Sequence, residues 1–288
     1  MSRIYDALRR ASESPETPDL PAPVAVLRPE PPQAPAVEVK PAGEAKPNEP
    51  AYRAISLESH GAAALPFQEG SNYASEQYRL IRTRILQHDK KPRVIAVSSP
   101  ASGDGKTISA INIAAALSLN KRVALLDGDF RRSKIHESLG LEKTIGLAEV
   151  LSGNAKLEEA IARSDQFPDL FIILAGLDTA NAAELLGSPA WPAVCESLRR
   201  QFDYIVVDTP PVGAVADYEL IQKEMDGIVF VVRPDQTKKT ACTAAFSIVP
   251  REKMLGVVVN CATRWPFWRG TYGYSEYAKY QSGRRDAK

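Results

Sequence analysis

Short apolar runs alternate along the chain with stretches whose apolar residues recur at helical spacing. The runs are rich in Val, Ile, Leu and Ala, which is typical of strands buried on both faces of a sheet. They predict strands over 93–99, 122–127, 170–174, 204–208, 227–232 and 255–259. The periodic stretches predict helices over 73–87, 105–119, 157–163, 189–201, 217–224 and 237–248. This alternation predicts an α/β domain with a doubly wound, mostly parallel sheet.

Changes in composition divide the chain into four segments. Residues 1–12 can form a short helix with one apolar face, which is either a frayed terminus or a helix that docks on a partner. Half of the 22 prolines lie between Pro15 and Pro50, and residues 13–60 are predicted to be a disordered linker. The α/β domain is expected over 70–262, and 263–288 is a tail rich in tyrosine.

Composition narrows the classes of function. The net charge of +1 gives no argument for nucleic acid as a partner. Three cysteines lie far apart, without the spacing of a disulfide or zinc framework. The chain shows neither a signal peptide nor an apolar run that approaches the roughly 20 residues of a membrane span. We therefore expect a cytoplasmic protein that reaches a membrane through a partner or a surface contact.

The first strong motif is a glycine-rich loop at residues 99–107, Ser-Pro-Ala-Ser-Gly-Asp-Gly-Lys-Thr, between a predicted strand and a predicted helix. That context is typical of a phosphate-binding loop, because backbone amides and a helix N-terminus donate to phosphate oxygens. Lys106 can reach the β- and γ-phosphates of ATP, and the Thr107 hydroxyl can ligate Mg²⁺. Pro100 stands where the usual pattern has its first glycine, so an ordinary glycine-rich turn is the alternative. The predicted nucleotide-binding residues here are Gly103, Asp104, Gly105, Lys106, Thr107 and Ile108.

Acidic residues end two further strands. Asp127 and Asp129 lie two positions apart after the strand at 122–127, and Asp208 ends the strand at 204–208. Ligands bind outside the carboxyl ends of parallel strands, so these side chains are expected to face the lysine of the loop. Asp208 and Asp127, with Thr107, are the predicted metal ligands, and either Asp127 or Asp129 is the predicted base. The alternative for the first pair is a solvated turn, and Asp217 is either catalytic or a helix N-cap.

Together these motifs resemble the bacterial tyrosine kinases of capsule and exopolysaccharide systems, which are P-loop proteins related to the MinD/ParA ATPases. MinD/ParA proteins carry an extra lysine at the position of Ala101, whereas residues 125–131 are similar to the hydrophobic D-x-D-x-R motif of the kinases. Glu76, Arg79 and Arg82 match an E-x-x-R-x-x-R motif on a helix that packs between subunits of a ring in that family, and the alternative is a solvated charged stripe. The resemblance covers about 73–280, with Ala182 in place of a familiar proline.

The resemblance implies a tyrosine autokinase that uses ATP and Mg²⁺, with Lys106, Asp127, Asp129 and Asp208 as catalytic residues. It further implies a homo-oligomeric ring, a separate transmembrane activator of polysaccharide chain length, and protein tyrosine substrates. Asn260 resembles the position whose amide reads adenine. The tail tyrosines resemble autophosphorylation sites, and they are Tyr272, Tyr274, Tyr277 and Tyr280.

Two rival functions remain open on the sequence. One is a MinD/ParA-like ATPase switch that never phosphorylates protein, and the other is a nucleotide-binding regulator of an export complex without catalysis. The segment from Trp265 to Trp268 is either a docking surface or a part that folds back on the domain.

Overall fold

A computed structural model describes residues 52–58 and 73–261 of the 288-residue chain. The predictions for the helix at 1–12, the four tail tyrosines and the Trp265–Trp268 segment lie outside the described residues, as does most of the predicted linker.

Eight strands in the described residues form one sheet. In chain order they are β1 (Arg53–Ile55), β2 (Val94–Ser98), β3 (Val123–Asp127), β4 (Ile161–Ser164), β5 (Leu170–Ile173), β6 (Tyr204–Asp208), β7 (Gly227–Val232) and β8 (Met254–Val259). Their order across the sheet is β1-β4-β5-β3-β6-β2-β7-β8. Every neighbouring pair is parallel except β4 and β5, which are antiparallel. The prediction of a mostly parallel sheet is confirmed.

Helices connect these strands. In the described ranges they are α1 (Tyr73–Leu86), α2 (Lys106–Ser118), α3 (Ile135–Ser138), α4 (Leu147–Leu151), α5 (Leu157–Ala160), α6 (Ala182–Gly187), α7 (Ala190–Gln201), α8 (Ala216–Gln222) and α9 (Lys239–Ile248). A single 3₁₀ turn, Arg251–Lys253, precedes β8. No helix of 52–58 or 73–261 combines the length and apolar character that a membrane crossing requires.

The core has one layer on each face of the sheet, as a doubly wound fold requires. Side chains alternate between the faces along β3, where Ala124 and Leu126 pack into one layer and Val123 and Leu125 into the other. The layer around Ala124 includes residues of α7 and α8, and the layer around Val123 includes six of the 13 residues of α2. Because α2 is buried on nearly all sides, the loop before it is held firmly against the sheet.

Two predicted boundaries are wrong. The helix predicted over 157–163 ends at Ala160, and the following residues form β4, whose Ile161 and Ala162 are buried in the core. Spacing that suited a helix is overridden there because the backbone pairs with β5. The linker predicted to end at residue 60 contains β1, which pairs with β4 and is followed by the buried Leu57. Its sequence, Arg-Ala-Ile, has no apolar run that could reveal it.

Candidate active site

The glycine-rich loop joins β2 to α2 at the carboxyl end of the sheet, and left-handed glycines shape it. Gly103 and Gly105 have φ angles of 92° and 93°, which other residues adopt only with strain. A Cβ atom at Gly105 would overlap the side-chain amide of Asn260. Backbone amides of the loop can therefore approach a bound phosphate closely, as the sequence predicts.

Asp104 fixes the shape of this loop from inside. Its side chain is fully buried, and its carboxylate accepts hydrogen bonds from the Ala101 amide at 3.0 Å and the Thr237 hydroxyl at 2.6 Å. The Asp104 carbonyl accepts a further bond from Asn260 Nδ2 at 2.9 Å. The loop is thus anchored to the segment after β7 and to the end of β8. The hydrogen bond with Thr237 was not predicted. Thr237 follows the carboxyl end of β7, where ligand sites of parallel sheets lie, so its position was the one available signal.

Lys106 lies in the first turn of α2 and is held by two carboxylates. Its ammonium donates to Asp129 Oδ2 at 2.7 Å and lies 3.6 Å from Asp208 Oδ1. Burial lowers the pKa of Lys106, but the charges of Asp208 and Asp129 outweigh it and raise the pKa overall. The lysine is therefore charged, close to where the sequence predicts the phosphates, and paired with acids in this form of the protein.

Asp208 ends β6 and is fully buried. Its Oδ2 accepts a hydrogen bond from the Thr107 hydroxyl at 2.6 Å, whereas Oδ1 has no hydrogen-bond partner in the described residues. Burial raises the pKa of Asp208 to about 6, and the charge of Lys106 partly offsets this. Oδ1 is buried without a hydrogen bond and its charge is compensated by the Lys106 ammonium at 3.6 Å, so it has the environment of an atom that binds a cation.

Asp127 lies opposite Asp208 on the neighbouring strand and is also fully buried. Its Oδ2 accepts bonds from the Ser133 hydroxyl at 2.8 Å and the Ile135 amide at 3.2 Å. Burial raises the pKa of Asp127 to about 7, and the negative charge of Asp208 contributes. The Ser133 contact comes from the following loop and had no signal in the sequence.

Asp217 differs from its predicted role as an N-cap. It lies within α8, whose N-cap residue is Val215, and it is fully buried. Its carboxylate accepts two hydrogen bonds from the Arg131 guanidinium, at 2.7 Å from Nε and 3.1 Å from Nη2. The pair joins the loop after β3 to the start of α8, and thus gives the arginine of the D-x-D-x-R motif a structural partner.

The remaining predicted residues lie at the edges of the site. The Asn260 amide bonds to the loop backbone through Nδ2 and to the Cys261 amide through Oδ1, so its contact with adenine stays a prediction. Ile108 is half-buried in the first turn of α2. Glu76 and Arg79 form an ion pair at 2.8 Å along α1, and Arg82 lies one turn further, away from the loop.

The donor set fits a magnesium ion and a nucleotide. The Thr107 hydroxyl and the carboxylates of Asp127 and Asp208 are hard oxygen ligands, which suit Mg²⁺. Within the described parts of the chain no three His, Cys, Asp or Glu side chains form a metal-binding group. Mg²⁺ is normally completed by substrate phosphates and water, so a site with few protein ligands beside a phosphate loop matches that ion.

Comparison with known proteins agrees with this chemistry. A family profile described as an AAA domain matches residues 92–238. The tyrosine-protein kinase YwqD of Bacillus subtilis (strain 168) is 32% identical over 67% of this chain and 83% of its own length.

Two solved structures share the fold. The chimerical protein CapA2B2 has a TM-score of 0.66 at 27% identity and covers 73% of this chain and 93% of its own. The BceF tyrosine kinase domain has a TM-score of 0.57 at 32% identity and covers 64% of this chain and 76% of its own. Together with the loop and the paired aspartates, these matches show that the chain belongs to the family of bacterial tyrosine-protein kinases.

Proposed function

We propose that this protein transfers the γ-phosphoryl group of ATP to tyrosine hydroxyls, first in its own tail and then in other proteins, and so regulates the polymerisation and export of capsular or exopolysaccharide. The observation that supports this most directly is the meeting of Lys106 with carboxylates from two strand ends, within 2.7 Å of Asp129 and 3.6 Å of Asp208. Strand ends at β3 and β6 thus supply acids beside the loop lysine.

The residues of the chain divide the work. Amides of the loop and Lys106 would hold the phosphates, while Asp208, Thr107 and Asp127 would hold Mg²⁺. The bound ion neutralises charge that develops on the phosphate oxygens. When Lys106 turns to the phosphates, Asp129 Oδ2 loses its partner and becomes free to accept a proton, so Asp129 is the better candidate for the base. Asp127 is held by Ser133 and Ile135 and keeps its place as a ligand.

In this transfer one bond to phosphorus forms, one breaks, and one proton moves. The tyrosine oxygen forms a bond to the γ-phosphorus while the bond from that phosphorus to the bridging oxygen breaks, and ADP leaves with the electron pair. The phenolic proton passes to the Asp129 carboxylate. Positioning of the hydroxyl and stabilisation of charge supply most of the catalysis in such reactions.

The cellular setting is part of the proposal. The protein would act in the cytoplasm at the inner membrane, bound to a separate transmembrane activator that controls chain length. It would assemble as a ring through the α1 face that carries Glu76, Arg79 and Arg82. Phosphates on the tail tyrosines add roughly −1.5 to −2 charges each, and their repulsion would weaken that ring.

The test is phosphosite mapping after incubation with ATP, with and without the cytoplasmic peptide of the membrane partner. We expect Lys106→Met to abolish tail phosphotyrosine, since the phosphates lose their cation. Lys121→Met is the matched control, because Lys121 is exposed and lies just before β3, at the opposite end of the sheet. A normal phosphotyrosine signal from Lys106→Met, with no other kinase present, would refute the assignment. Unmodified tyrosines with steady release of phosphate would instead support an ATPase switch.

A further inference from the structure

A cleft of about 440 Å³ opens beside the candidate active site and takes no part in the function proposed above. Its walls are the loop after β3, the adjoining α3, the segment around Lys143, and the loop after β5. Leu177, which is 62% exposed, forms an apolar rim.

Positive charge dominates this cleft. It is lined by one acidic residue, Glu137, and by four cationic residues, which are Arg131, Arg132, Lys134 and Lys143. Asp217 pairs with Arg131, and Glu137 pairs with Lys134 at 2.9 Å. Two cations therefore keep their charge available for a ligand.

Those two cations are Arg132 and Lys143. Arg132 Nη1 contacts only a neutral group, the Ser102 hydroxyl of the phosphate loop, at 3.0 Å. Lys143 makes no ion pair with any residue in the described ranges. Burial lowers the pKa of the neighbouring His136, and the positive charge of Lys143 lowers that pKa further.

The order of strands places the cleft on the side of Asp208 and Asp129 that faces away from Asn260. Asn260, at the end of β8, lies on one side of the loop, and Asp208 and Asp129, after β6 and β3, lie on the other. The cleft follows next in the same direction, between the ends of β3 and β5. A tyrosine that approaches Asp129 from outside the nucleotide would therefore pass this cleft.

We propose that the cleft binds an anionic side chain next to the acceptor tyrosine, through Arg132 and Lys143. The inference rests on the proposed kinase function and adds a preference for acidic acceptor segments. In the tail, Glu276 lies between Tyr274 and Tyr277, so a carboxylate is available one residue from an acceptor. A phosphate already added to Tyr274 would offer the same chemistry with more charge.

Binding of tail peptides tests the proposal without requiring catalysis. The protein is the full-length chain with Glu276→Gln and its four tail tyrosines replaced by phenylalanine, loaded with a non-hydrolysable ATP analogue. The probes are fluorescent peptides of residues 268–288 in three forms, which carry Glu276, Glu276→Gln, or phosphate on Tyr274. We expect Lys143→Gln to weaken binding of the Glu276 peptide about three- to tenfold, and the phosphopeptide at least as much.

The matched control is Lys121→Gln, which removes the same charge at the opposite end of the sheet. The Glu276→Gln peptide should bind both variants as it binds the parent protein. The proposal would be overturned if Lys143→Gln weakened the binding of all three peptides equally. It would also be overturned if Lys143→Gln weakened the binding of neither the Glu276 peptide nor the phosphopeptide. A response confined to the phosphopeptide would identify phosphate as the ligand, and a response confined to Glu276 would identify the carboxylate.

Phosphorylation of the Glu276 peptide by the chain with ATP is measured in parallel. Charge-dependent binding without phosphorylation would count against the kinase function and leave the anion site in place. Phosphorylation, together with binding that does not depend on Glu276 or on the phosphate, would support the kinase function and count against the anion site.

Discussion

Asp104→Ala should destabilise the domain and weaken ATP binding, because the side chain holds the phosphate loop in shape before any nucleotide arrives. The carboxylate is fully buried and accepts bonds from the Ala101 amide and the Thr237 hydroxyl, at 3.0 and 2.6 Å. Hydrogen bonds to a charged group contribute about 1.5–3 kcal/mol each. At the lower limit for both, we expect Asp104→Ala to cost about 3 kcal/mol of the free energy of unfolding.

A double-mutant cycle isolates the bond between the two side chains. Thr237→Val removes the hydroxyl that donates to Asp104 and also leaves the Arg233 amide, which donates to that hydroxyl at 2.8 Å, without its acceptor. We expect this single change to cost about 2 kcal/mol and the coupling energy between the sites to be about 1.5 kcal/mol. Melting temperature should fall by about 6–12 °C in Asp104→Ala, from about 2–4 °C per kcal/mol for a domain of this size.

The assays are urea unfolding for the cycle and calorimetric titration with ATP for the affinity. Asp104→Ala should bind ATP more weakly than Thr237→Val does, because it loses the bonds to both the Ala101 amide and the Thr237 hydroxyl. A coupling energy below about 0.5 kcal/mol, which is the usual error of additivity, would show that the 2.6 Å contact does not anchor the loop.

Two further predictions concern the other buried acids. Stability of the protein free of nucleotide and Mg²⁺ should fall as pH rises from about 4 to 7, because the raised pKa of Asp127 means that the folded state holds a proton which the unfolded state has lost. Asp127→Asn should gain in melting temperature relative to wild type across that range, and a difference independent of pH would contradict this. Arg131→Ala should lower the melting temperature, because Asp217 is left buried without its partner, and Asp217→Asn in that background should restore part of the loss. Equal melting temperatures for the single and double variants would refute the role of the pair.

The fold was largely readable because its signals are local. Strands buried on both faces have continuous apolar sequences, and β6 and β7 begin and end at the predicted residues. The segments that were missed, β1 and β4, depend on pairing with distant residues and have short, mixed sequences. β1 is the edge strand and β4 lies next to it, and such short strands acquire their structure from their neighbours, so no pattern within them predicts it.

The candidate site divides in the same way. The loop lysine and the aspartates at strand ends were predictable, since the direction of parallel strands places them together. The partners of those residues were not, because Thr237 and Asn260 reach Asp104 across 133 and 156 positions of sequence. The nucleotide contact of Asn260 stays a prediction, and the bond from its amide to the loop backbone had no signal in the sequence. Such contacts depend on side-chain conformations in the folded chain and leave no spacing to detect.

Because β4 is antiparallel to β5 and parallel to β1, the first and last strands of the described residues run in opposite directions. Cys261 follows β8 at the end of the sheet that carries the phosphate loop, whereas the Tyr52 side chain reaches the opposite end, where its hydroxyl donates to Gln201 at 3.0 Å and its ring lies 6.0 Å from the Arg122 guanidinium. A partner that covers the carboxyl end of the sheet can therefore contact Cys261 and the phosphate loop at once. A label or a surface tether thus belongs at the opposite end of the sheet, at Lys121.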